Sequence, residues 1–122
     1  MTRRYVLAPE AALDLIQIWR FIKKQSNVEI ADRVESVIRE KIVFLAANPG
    51  AGHWRKNLTD EAVKFFPVYS YLIVYRPETT PLQIVSILHG RRDVEQLLRD
   101  RLRVSRRVGR DFELSGARGR SA

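Results

Sequence analysis

The chain has 122 residues, 45% of them apolar, which is enough for one packed core and excludes wholesale disorder. It has no cysteine, and this excludes a disulfide framework, a thiolate nucleophile and a cysteine-based zinc site. The formal charge of +8 favours acidic partners or nucleic acid without choosing between them. Half of that excess falls in 103–122, "RVSRRVGRDFELSGARGRSA", where six Arg face one Asp and one Glu. Residues 1–102 are therefore expected to form the folded domain, and 103–122 a basic, disordered tail.

Along the chain, Arg3 to Leu7 alternates and reads as a short first strand. Pro9 opens a helix reaching Gln25, where Leu15, Ile18, Trp19 and Ile22 keep helical spacing. Ile16 and Phe21 widen that stripe, so the helix is expected to be mostly covered, with Trp19 in the core. "SNVE", Ser26 to Glu29, has the spacing of a capping box and starts a second helix. Its apolar face is Ile30, Val34, Val37, Ile38, Ile42 and Leu45, and "NPGAG", Asn48 to Gly52, ends it. Two helices joined by so short a turn form an antiparallel hairpin.

After a polar link from His53 to Glu61, the period changes from 3.6 to 2. "AVKFFPV" (62–68) and "YLIVYR" (71–76) read as a strand pair around Tyr69-Ser70. "LQIVSILH" (82–89) is apolar on both faces, as an interior strand would be. Asp93 and Gln96 suggest a capped start for a last helix running to about Leu102. The order β-α-α-β-β-β-α implies a two-layer α+β domain, a helical hairpin packed on a small antiparallel sheet. No apolar run is long enough for a membrane span and the N-terminus is a poor secretory signal, so a cytoplasmic protein is expected.

In their order and spacing, "LAPEAALDLIQIWRFI", "NPGAG", "FFPVYSYLIVYRP" and "ILHGRRDVEQLL" together resemble the ParE branch of the RelE/ParE superfamily. The likeness runs from about Tyr5 to Leu98. It implies a toxin of a type II toxin–antitoxin pair, held inactive by a ParD-like antitoxin in a hetero-oligomer, with DNA gyrase as target. It implies neither cofactor nor small-molecule substrate. The alternative in the superfamily is a RelE-type endonuclease that cuts mRNA on the ribosome, and the shared fold cannot choose between the two. Cleavage needs charge stabilisation at the phosphate and a proton-transfer group. Of the RelE pattern, Arg92 matches, whereas Tyr71 stands where the pattern has another Arg and Leu97-Leu98 where the C-terminal Tyr falls. The reading is therefore a binding toxin rather than an enzyme. A third reading is a relic that binds only its antitoxin.

The candidate contacts to antitoxin or target are Trp54, Tyr75, Arg76, His89, Arg91 and Arg92. The planar guanidinium suits carboxylates or phosphates, and an exposed Trp in a polar link suits an interface. His89 could serve instead as a strand-edge residue or as an acid–base group. Tyr69, Tyr71, Tyr75, Phe65 and Phe66 could stack bases or simply pack across strands. His53 and His89 have no metal-ligand spacing.

Overall fold

A computed structural model describes residues 4–91 and 94–102. Strand β1 (Tyr5–Leu7) leads into helix α1 (Pro9–Gln25), with Pro9 in the first turn, where no helical N–H partner is lost. Helix α2 (Val28–Ala47) follows, then a 3-10 turn (Pro49–Ala51) and strands β2 (Lys64–Val68), β3 (Tyr71–Arg76) and β4 (Leu82–His89). A last helix, α3, occupies 94–102. The order is that of the α+β domain expected from the sequence.

The sheet order is β1-β4-β3-β2, so the apolar β4 is interior, as its two-sided pattern requires. β2, β3 and β4 are antiparallel, whereas β1 joins β4 in parallel, with Tyr5 opposite Leu82 and Leu7 opposite Ile84. The sheet is therefore mixed at one edge. A bulge lies opposite Val74 and Tyr75, where Ser86 and Ile84 pair and Val85 is skipped. It shifts the in-out alternation of β4 by one residue, so that Ile84 and Ile87, three apart, share one core while Val85 and Leu88 share the other.

One core joins Ala11, Leu15, Ile18, Ile38, Ile42 and Leu45 of the hairpin to Val68, Ile73, Tyr75, Ile84 and Ile87 of the sheet. A second joins Phe65, Val74, Val85 and Leu88 to Val94, Leu98 and Leu102. The last helix thus covers the sheet face that the hairpin leaves open. Each of these large apolar side chains stabilises the fold by about 1.5–3 kcal/mol relative to exposure.

Three local expectations change. Helix α2 is capped by Asn27, whose Oδ1 accepts the Ile30 N–H at 2.8 Å, and not by Ser26. The Ser26 N–H still bonds Ile22 O and finishes α1, so the cap falls one residue later. Helix α1 is not mostly covered: its buried line is Ala11, Asp14, Leu15 and Ile18. Ile16 (48% exposed) and Phe21 (58%) lie on the outer side, with Leu13. Trp19 is half-buried rather than core; its indole N–H donates to Asp32 Oδ1 at 2.7 Å and ties the two helices together. The expected basic tail, Arg3 at the start of the first strand and the Asp93 cap all lie outside the described residues.

Candidate functional site

The strand end at His89 is built onto the β2–β3 turn. His89 faces Tyr71 across the pair of strands, ring edge to ring face, with centroids 5.4 Å apart. The Gly90 N–H bonds Ser70 O at 2.8 Å, and the Arg91 N–H bonds His89 Nδ1 at 3.1 Å. An imidazole accepting at Nδ1 carries its proton on Nε2 when neutral. The corner is therefore a hydrogen-bonded turn that leaves the Arg91 side chain exposed. Beside it stands Tyr69, 62% exposed and at φ 56°, the left-handed conformation that the two-residue turn requires.

Tyr75 and Arg76 sit at the opposite end of β3. Four residues of strand put Tyr75 about 13 Å from Tyr71. Tyr75 is fully buried and drops out as a contact residue. Its hydroxyl donates to Pro49 O and accepts the Gly52 N–H, both at 2.8 Å, and pins the turn after α2 to the sheet. Burial pushes its phenol pKa up, an effect partly offset by the Gly52 N–H; burial also raises that of Tyr71. Phe65 is buried, and Phe66 packs on Phe44 with centroids 5.9 Å apart. Tyr75, Phe65 and Phe66 thus serve cross-strand and hairpin packing.

Trp54 belongs to the Tyr75 end. It is 46% exposed, with the Lys64 and Lys56 ammonium groups 4.9 Å and 5.5 Å from its ring centroid. The six candidates thus divide. His89 and Arg91 share one end of the sheet, while Trp54, Tyr75 and Arg76 lie at the other; Arg92 lies outside the described residues. Lys64 was not legible as a contact, because only the fold brings it to the indole; Lys56, two positions on, was within reach of a sequence reading.

A second polar feature also escaped the sequence. Asp14 is 5% exposed, and its Oδ2 accepts the Ile87 N–H at 2.9 Å and a hydrogen bond from Arg101 Nη1. Arg101 Nη1 also lies 3.5 Å from Ser86 Oγ. β1 ends at Leu7, opposite Ile84, so beyond Ile84 the β1 side of β4 has no strand along it, while β3 pairs the other side. Asp14 satisfies the freed Ile87 donor, and Arg101 closes the gap from α3. An Asp within an otherwise apolar helical line was the available signal. Between the 58–61 link and α3 lies an open cleft of about 460 Å³, lined by Leu58, Thr59, Asp60, Glu61, Glu95, Arg99 and Leu102. Its carboxylates make it a poor seat for a phosphate, and Glu95 pairs with Arg99 at 3.3 Å. Among the described residues no group of three His, Cys, Asp or Glu could hold a metal, and no helix is long and apolar enough to cross a membrane.

A family model, the ParE toxin of type II toxin-antitoxin system, parDE, matches residues 5–94. The chain belongs to the ParE toxin family. It also has the fold of a solved structure, "Chromosomal ParDE TA system from P. aeruginosa", with a TM-score of 0.62 and 22% identity. That match covers 72% of this chain and 96% of the other. No curated protein matches the sequence. The family match spans β1, the helical hairpin, the sheet and the His89 corner, the parts that carry the resemblance to ParE toxins.

Proposed function

We propose that this ParE-family chain arrests growth by binding DNA gyrase, without catalysis of its own, and that a ParD-like antitoxin neutralises it. The family match across residues 5–94 carries the reading. The corner supports it: His89 is engaged by Arg91 N–H and Tyr71, and Arg91 is offered to solvent on a fixed backbone. Such a surface binds through geometry and charge and needs no proton shuttle. The antitoxin contributes an acidic or amphipathic segment to hairpin and sheet, and both partners act in the cytoplasm.

RelE-type cleavage has less support. Where that chemistry places its C-terminal proton-transfer group, the chain has Leu97 and the fully buried Leu98. Tyr71 is a poor substitute, because it is half-buried and packed against the His89 ring. The test is expression in a bacterium lacking the partner gene, with plasmid supercoiling and translation followed together. Supercoiling is expected to fail while translation continues. Early loss of translation with mRNA cut on ribosomes would replace the proposal with the endonuclease, and harmless expression of folded protein would replace it with the relic.

A further inference from the structure

The link after the α2 turn separates charge by direction. Asp60 and Glu61 line the cleft beside α3, whereas the Lys56 and Lys64 ammonium groups collect at the Trp54 ring, at the outer margin of β2. The backbone below is fixed. His53 and Phe65 exchange both N–H···O bonds at 2.8 Å, and the Gly52 N–H is held by the Tyr75 hydroxyl. The indole therefore leaves a chain segment anchored immediately before it, at Gly52 and His53. Lys64 is positioned as well, its ammonium donating to Gly50 O at 3.2 Å while lying 4.9 Å from the ring centroid. Arg55 bonds Asn57 Oδ1 at 3.3 Å.

Among the described residues, none of Arg55, Lys56 and Lys64 pairs with a carboxylate. The ring quadrupole of Trp54 holds two of these cations, each within 5.5 Å of its centroid. Carboxylate groups can bond the ammonium and guanidinium donors directly. We propose that Trp54, Lys56 and Lys64, with Arg55 beside them, form a docking surface for an acidic peptide segment of a protein partner. Single-stranded nucleic acid fits less well: base stacking needs an unoccupied ring, and this indole already holds two ammonium groups. A run of carboxylates needs only the cations and no free ring face. Assigning that segment to the neutralising antitoxin rests on the function proposed above; the surface itself does not.

The test uses the full chain carrying Trp19→Phe, which leaves Trp54 as its one tryptophan. Its fluorescence is titrated with a glutamate-rich peptide and, separately, with an oligothymidylate. The peptide is expected to perturb Trp54. Lys56→Glu with Lys64→Glu is expected to weaken binding about tenfold, through two charge contacts reversed in sign. Lys41→Glu, an exposed change on α2, is expected to leave binding unchanged. No response to the peptide, equal loss in the Lys41→Glu variant, or preference for the oligothymidylate overturns the proposal. The same preparation is assayed against gyrase. Peptide binding without supercoiling inhibition sinks the proposed function and spares the surface; inhibition without peptide binding does the reverse.

Discussion

Removing the Asp14 carboxylate should destabilise the fold more than changing any exposed charge. Asp14→Ala takes away two partners at once. The Ile87 N–H loses its acceptor at an edge of β4 where no strand replaces it, a loss of about 1–3 kcal/mol. The Arg101 guanidinium loses its carboxylate, and breaking a buried pair costs about 3–5 kcal/mol. The Arg101 side chain is 17% exposed and can recover some hydration, which places the pair at the low end of that range. The two losses overlap, because both act through one carboxylate oxygen. We expect about 4 kcal/mol for Asp14→Ala, and about 3 kcal/mol for Asp14→Asn, which keeps an acceptor for Ile87. Urea denaturation followed by circular dichroism measures both. The double variant Asp14→Leu with Arg101→Met should recover a large part of the loss, because it leaves no buried charge unpaired. An Asp14→Ala protein within about 0.5 kcal/mol of wild type would refute the reasoning, since that is the scale of a surface change.

Tyr75→Phe should cost about 1–3 kcal/mol in the same assay, by orphaning the buried Gly52 N–H and the Pro49 carbonyl. Gly52→Ala should be at least as harmful, because an added Cβ would lie 2.5 Å from the Tyr75 hydroxyl and 2.9 Å from Phe65 O; wild-type stability would contradict the packing described. Tyr69→Asn should raise stability by about 1 kcal/mol, since Asn tolerates the left-handed backbone at φ 56° better than Tyr; no gain would mean that the ring contributes more than the strain costs. Tyrosinate absorbance on raising the pH should show Tyr71 and Tyr75 ionising above the ordinary range. Each has a folded pKa raised above its unfolded value, so its contribution is complete below about pH 10 and is lost as pH rises through the folded pKa. Tyr75→Phe should remove one late step, and a titration with all tyrosines at the ordinary value would contradict their burial.

The strands were legible because period 2 replaces period 3.6 after the polar link. The ends of β3 and β4 fall where the sequence places them. The parallel pairing of β1 was not legible: three residues carry no signal of direction, and only the crossover through the hairpin decides it. Ser26 and Asn27 are both good caps, and the choice depends on where α1 stops. Ile16 and Phe21 extend the apolar stripe of α1, but the rotation of the helix on the sheet points them outward. The site was half legible. Trp54 stood out as an aromatic in a polar link, whereas Lys64 reaches it only through the β2 register. Tyr75 looked like a surface aromatic because nothing local announces a hydroxyl held by a turn 26 residues earlier. Asp14 and Arg101, 87 positions apart, have no sequence signal of their pairing beyond a charge on a buried line.

The central claim is that this ParE-family chain acts on gyrase by binding at the His89–Arg91 corner. The most direct measurement is ATP-dependent supercoiling of relaxed plasmid by purified gyrase, titrated with the wild-type chain and with Arg91→Glu. The account predicts inhibition by the wild type, without RNA cleavage by the same preparation on translating ribosomes, and at least tenfold weaker inhibition by Arg91→Glu. Full supercoiling at every concentration of folded wild-type protein would contradict it.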